Sequence, residues 1–229
     1  MVKQMPLKLD LHVHTRYSGD SSITLEDLRV QVKAKGLNGV AVTDHNTVEG
    51  AVKAAKTVKA IDNRGKHAII VIPGVEVSTR QGHVLGINVT TPIPPSLSIK
   101  ETIERIHDAG GIAIAAHPQA FFKKGIGLNR RIVSYGLDAI EVINSSVLPF
   151  RLSTNKCRKF AIEHGLPQTA GSDSHFPEAI GLAYTLIRSC DESIDGIIES
   201  IRKGLTEPVG KGTPISLRLK YTLKNLLTL

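Results

Sequence analysis

Cysteine is nearly absent from this 229-residue chain: Cys157 and Cys190 stand far apart and in no CxxC pair. That scarcity excludes a disulfide framework and a cysteine zinc site, and leaves both thiols as small buried apolar residues. Long apolar runs are missing too. No stretch approaches the roughly 18 apolar residues of a membrane span, and residues 1–8 lack the apolar segment and small-residue cleavage site of a secretory leader. A soluble, cytoplasmic protein without membrane contact is expected. Neither an internal repeat nor a low-complexity segment occurs, and the length suits one α/β barrel domain. Acidic residues are outnumbered, 21 to 29, giving a formal net charge of +8. That balance favours an anionic partner such as a phosphorylated substrate, and equally fits a lysine-rich surface that keeps the protein in solution.

What is present is an alternation of strand-like and helix-like stretches. Residues 7–14 read as a strand, and Thr24 followed by Glu26 and Asp27 opens a helix that Gly36 ends. Residues 39–43 form the next strand and 47–60 a helix. A third strand over 68–77 is interrupted by Pro73-Gly74, and a short fourth over 82–89 carries His83. Ser98 and Glu101 make a capping box for a helix with Ile99, Ile103 and Ile106 on one face. The small apolar run 111–116 reads as a strand covered on both sides, and 137–143 as another, bearing Glu141. Residues 151–164 form a helix, 166–170 a strand, 181–188 a strand, and Ile194, Ile197, Ile198 and Ile201 mark a last helix. The barrel is expected over residues 1–207. A linker from Pro208 and a basic, Leu-rich extension complete 208–229, read either as a docked helix or strand or as a contact for nucleic acid or a partner.

Strands alternating with helices at this spacing argue a parallel barrel or a doubly wound sheet, with ligands at the carboxyl ends of the strands. His12 and His14 sit on alternate residues of the first strand, so they share a face and can reach one ion. Alone, the pair fits ligands or ordinary barrel histidines. Asp44, His45, Glu76, His117, Asp173 and His175 also lie where an apolar strand runs out, and only His83 appears at a strand's beginning. Unrelated core histidines would not share that position, so the set reads as a metal site. His67, His107 and His164 sit on a helix surface or at polar segment ends and are expected to face solvent.

Asp10-Leu11-His12-Val13-His14-Thr15 with Ser18-Gly19-Asp20, Thr43-Asp44-His45, Gly74-Val75-Glu76, His83-Val84-Leu85-Gly86, Ala116-His117-Pro118 and Gly171-Ser172-Asp173-Ser174-His175 together resemble the PHP family, named for polymerase and histidinol phosphatase. The resemblance implies a distorted (β/α)7 TIM-like barrel with two or three divalent ions, Zn, Mn or Fe with Mg also admissible. It implies one site from His12, His14, Glu76 and Asp173, a second from Glu76, His83 and His117, and a third from Asp20, His45 and His175. Glu76 would bridge two ions, and Glu76 with Asp173 would be catalytic. Many relatives read Ser-Asp-Gly where this chain has Ser18-Gly19-Asp20. Asp44 is expected to orient a ligand.

Such a set activates water as a metal hydroxide and holds a phosphoryl oxygen opposite it. The expected reaction is hydrolysis of a phosphate monoester, a nucleotide or a short nucleic acid, with Ser172 and Ser174 as loop residues rather than nucleophiles. Two other readings are an amidohydrolase-like enzyme, which would bridge its metals with a modified Lys, and a non-catalytic nucleic-acid-binding barrel like a ribonuclease P protein subunit. Lys123, Lys124, Arg130 and Arg131 follow His117 and are candidates for contacting substrate phosphate, with Phe121 and Phe122 to stack a base. The alternative packs both rings into the barrel shell and leaves the charges in water.

Overall fold

The computed structural model describes residues 5–62, 69–120, 125–189 and 191–227. The first half runs β1 (Leu7–Val13), α1 (Leu25–Ala34), β2 (Gly39–Val42), α2 (Glu49–Asp62), β3 (Ile70–Ser78), β4 (His83–Ile87), α3 (Ile99–Asp108) and β5 (Ile112–Ala115). The second half runs α4 (Arg130–Ser134), β6 (Ala139–Asn144), α5 (Phe150–Glu163), β7 (Gln168–Gly171), β8 (Ala183–Ile187), α6 (Ile194–Arg202), β9 (Thr206–Gly210) and α7 (Ile215–Leu227). Local chemistry sets several of these ends. Thr24 caps α1 and Ser98 caps α3, each in a reciprocal box with the acid three residues on. Ile99, Ile103 and Ile106 of α3 are buried as the periodicity predicts.

The strands form one sheet in the order β7-β6-β5-β4-β3-β2-β1-β8-β9, nearly closed as a TIM-like barrel. β1–β2, β2–β3, β5–β6 and β6–β7 pair parallel, whereas β4 runs antiparallel to both β3 and β5. Because β4 is reversed, its beginning lies at the carboxyl end of its neighbours, with His83 opposite Ser78. The one histidine placed at a strand's start therefore reaches the same rim as the others. β3 runs unbroken through Pro73-Gly74. It pairs with β2 over Ile70–Pro73 and with β4 from Gly74 onward, so the proline falls where the strand exchanges partners.

The barrel closes at β1, which also changes partner along its length. Leu7, Lys8 and Leu9 pair with β8. Further along, His12 O accepts from Asp173 N at 2.8 Å and His14 N donates to Ser174 O at 3.1 Å. Gly171 permits that approach, because a Cβ there would lie 2.3 Å from the Cβ of His12. Leu9, Leu11, Ile72, Leu85, Ile112 and Ile114, drawn from strands around the sheet, form one buried cluster with Ile197 and Ile201 of α6.

At the end of the chain the linker expected from Pro208 is instead part of a strand, whereas the docked-helix reading of the extension holds. Pro208 lies inside β9, an edge strand antiparallel to β8, where a missing N–H breaks no outer ladder. The sheet thus continues to Gly210, and the Leu-rich extension forms α7, docked on the barrel through Arg218 and Tyr221. No helix among the described residues is long and apolar enough to cross a membrane. Cys157 is buried in the core, where desolvation pushes its thiol up to about 12 against the hydrogen bond with Ser153.

Candidate metal centre

β3 delivers Glu76, a fully buried carboxylate, into a ring of imidazoles. Its Oε1 lies 2.9 Å from His83 Nδ1 and 2.8 Å from His117 Nε2. Its Oε2 lies 3.0 Å from His45 Nδ1, 3.2 Å from His14 Nε2 and 3.4 Å from His12 Nε2. Burial alone would raise the Glu76 pKa. The charge on His12, with the imidazoles of His117 and His14 close by, overrides it and holds the carboxyl well below its usual range. His12 Nε2 and His14 Nε2 face each other at 3.1 Å, with Asp173 Oδ1 at 3.7 Å and 3.5 Å from them.

A second focus lies at the barrel mouth. Asp20 Oδ2 is 3.1 Å from His175 Nε2 and 3.4 Å from His45 Nε2. The rings of His14 and His175 stack with centroids 4.3 Å apart. Burial works against the ionised form of Asp20, but the His175 and His45 hydrogen bonds hold its pKa far below the carboxylate range. Ligand atoms of His14, Asp20, His45 and His175 lie within 4.8 Å of one another, as do those of His12, His14 and Glu76, of His45, Glu76 and His83, and of His12, His117 and Asp173.

The structure itself tests whether these donors suit cations. Glu76 Oε2, His45 Nδ1 and His117 Nδ1 are buried without a hydrogen-bond partner. Such atoms are costly to leave unmet, at about 1–3 kcal/mol each, and imidazole and carboxylate donors gathered unpaired at one focus are what a divalent ion satisfies. His117 and Asp173 also adopt left-handed backbone, φ 29° and 52°, a conformation that costs roughly 1–3 kcal/mol per residue and gathers at functional sites. Imidazole with carboxylate is a donor set for Zn, Mn or Fe.

Residues 10–204 match the PHP domain family. The chain belongs to that family. A protein of Methanocaldococcus jannaschii is 38% identical over 149 residues, which is 61% of this chain and 82% of the relative. The phosphoribosyl 1,2-cyclic phosphate 1,2-diphosphodiesterase of Eggerthella lenta is 31% identical over 105 residues, 43% of this chain and 37% of that enzyme. Among solved structures, a two-domain protein of Bacteroides vulgatus containing a predicted PHP-like metal-dependent phosphoesterase superposes with a TM-score of 0.74 at 18% identity, over 92% of this chain and 66% of that one. The chain thus spans just under two thirds of that structure's length.

Several groups around the PHP cluster escaped the sequence reading or act differently from expectation. Glu141, a buried acid within the fully buried β6, lies 3.0 Å through Oε1 from His12 Nδ1. Its Oε2 accepts from His117 N at 2.7 Å and Asn144 Nδ2 at 2.9 Å. The same Asn144 nitrogen reaches Asp173 Oδ2 at 3.2 Å. Asp10 is buried and accepts from Ser172 N and Gly181 N, both at 2.8 Å, tying β1 to the segment after β7. Desolvation raises its pKa to about 6 against those bonds. Asp44, expected to orient a ligand, instead binds the Thr15 hydroxyl at 2.8 Å and the Thr15 amide. It fixes the turn next to His14.

Ser172 Oγ contacts the His12 carbonyl, as a loop residue would. His107 is exposed and pairs with Asp138, but His164 is half-buried with its ring stacked on Phe160, contrary to the solvent-facing expectation. Arg131 lines a separate cavity of about 460 Å³ with Lys100 and Tyr135, away from all nine candidate ligands, and Arg130 is exposed at the start of α4. Lys123, Lys124, Phe121, Phe122, His67 and Cys190 lie outside the described residues.

Proposed function

We propose that this PHP protein hydrolyses phosphoesters, monoesters or nucleotide esters, with two or three divalent ions held by His12, His14, Asp20, His45, Glu76, His83, His117, Asp173 and His175. The observation that carries this reading is Glu76, whose two oxygens face different imidazole groups: His83 and His117 on one side, His12, His14 and His45 on the other. A carboxylate so placed is suited to bridge two ions. Divalent ions bound there supply Lewis acidity that activates water and offsets phosphoryl charge.

The chain's own groups prepare those positions. Glu141 is placed to accept a hydrogen bond from His12 Nδ1–H, so that an ion taking the place of the Nε2 proton would meet a lone pair turned toward Glu76 and Asp173. Asn144 steadies Asp173 while also bonding Glu141, so two carboxylates share one amide. Asp173 completes the group around His12 and His14, and Asp20 faces the mouth, where substrate would enter. An amidohydrolase-like enzyme would usually bridge its ions with a modified Lys, and the group that would take that place here is Glu76.

A phosphate-release screen tests the proposal, using sugar phosphates, histidinol phosphate, nucleotides and short oligonucleotides with Mn, Zn or Mg added. Turnover of at least one class that disappears on chelation and returns with metal is expected. A folded, metal-loaded protein that releases phosphate from none of them, and cleaves no oligonucleotide, overturns it.

A further inference from the structure

Arg218 lies beyond the family match, on a helix that returns to the barrel mouth. Its Nε donates to Thr213 O at 3.1 Å, Nη1 to Ser146 O at 2.9 Å and Nη2 to Ser145 O at 2.9 Å. Ser145 and Ser146 directly follow Asn144, the residue that bonds Asp173. A cavity of about 380 Å³ opens between α7 and the ligand cluster, lined by Asp20, His175, Phe176, Arg218 and Tyr221. This is at the small end of the roughly 300–1,000 Å³ of small-molecule sites.

The charge on Arg218 is not matched by a salt bridge among the described residues. All three of its partners are neutral carbonyls. Partial burial disfavours its charged form, and Asp173 favours it electrostatically. A guanidinium has five N–H donors. Three are used, leaving one on each terminal nitrogen, and a planar pair of such donors matches the oxygens of a phosphoryl group.

Resting on the phosphoesterase reading for the identity of the site, we propose that Arg218 is a substrate-binding residue contributed by α7. It holds the phosphoryl group at the mouth beside Asp20 and His175. The Phe176–Tyr221 stack, with ring centroids 3.9 Å apart and planes at 10°, forms the wall beside it. Tyr221 bonds Glu178, and Lys220 Nζ pairs with Glu178 at 2.8 Å, so α7 is fastened where the arginine needs it.

The test is equilibrium binding of inorganic phosphate to the metal-loaded protein, wild type against Arg218→Ala, Arg218→Lys and Leu219→Ala, with metal content measured on each. Arg218→Ala should weaken phosphate binding about tenfold or more at unchanged metal content, and Arg218→Lys should restore part of it. Leu219→Ala, at an exposed position of α7 that does not line the cavity, should bind within about threefold of wild type. If Arg218→Ala binds phosphate as wild type does, the residue only anchors Ser145 and Ser146 and the proposal fails. It fails equally if Leu219→Ala loses as much as Arg218→Ala, or if the metal-loaded wild type binds no phosphate. Because binding is read without turnover, an inactive wild type that still binds phosphate through Arg218 would overturn the phosphoesterase reading alone.

Discussion

At the scale of single residues, the convergence of the candidate donors was legible because chemistry that needs a shared focus puts its groups at equivalent places, the rim ends of strands. Glu141 was not. An acid inside an apolar strand obeys no spacing rule, and its partner His12 is 129 residues away. Two substitutions separate their roles. Glu76→Ala should bind fewer ions and lose metal-dependent turnover while circular dichroism stays that of the folded protein; near-normal turnover would mean the centre lies elsewhere. Glu141→Ala keeps every proposed ligand but frees the His12 ring, and should cost about 10–100-fold in metal affinity, measured by competition with a chelator. Unchanged affinity would show that packing alone orients His12.

Among the elements, α1, α2, α3, α5 and α6 were readable from caps and periodicity, whereas the short α4 was not and strand direction was only implicit. The four residues Thr79 to Gly82 between β3 and β4 are too few for a crossover and force an antiparallel pair, which brings His83 to the rim. Pro208 misled for a related reason: proline argues against a central strand, and only the sheet order reveals that β9 is an edge. The junction of β7 with β1 can be probed at Gly171. Gly171→Ala would press a methyl group on His12, costing about 1–3 kcal/mol and lowering Tm by roughly 2–4 °C per kcal/mol. An unshifted melting curve would mean that the strands part there at no cost. The docking of α7 carries its own pH signature. Burial opposes ionisation of Glu178, but Lys220 and Tyr221 hold its pKa near 2, against 4.5 ordinarily. A depressed carboxyl stabilises above its ordinary pKa and loses that contribution as pH falls toward the folded value. The Tm advantage of wild type over Glu178→Gln should therefore be full above about pH 4.5 and vanish near pH 2; an advantage that persists at pH 2 would assign it to packing.

Over the whole molecule, periodicity pointed to alternating α/β layers but could not show how the sheet closes, since closure depends on pairing between distant segments. The barrel that results concentrates buried carboxylates and imidazoles at one end, each group partly neutralising its neighbours. Ions bound by the folded state alone add stability by mass action, about 2.7 kcal/mol when free metal is a hundred times its Kd. Chelation should accordingly lower Tm, and resupplied Mn or Zn should restore it; a melting curve indifferent to both would mean that the cluster is held together without cations.

The change of partner along β1 also fixes a timetable for synthesis. His12 is made 160 residues before Ser172, in the segment it meets at the rim. A growing chain carries His12 and His14 through all of that interval with no Asp173 beside them, and a contact so distant along the chain is slow to form. Ion capture by the full donor set thus belongs to the last stage of folding, after β7 has emerged, and a nascent chain stalled before that strand would hold metal only through a fragment of the site.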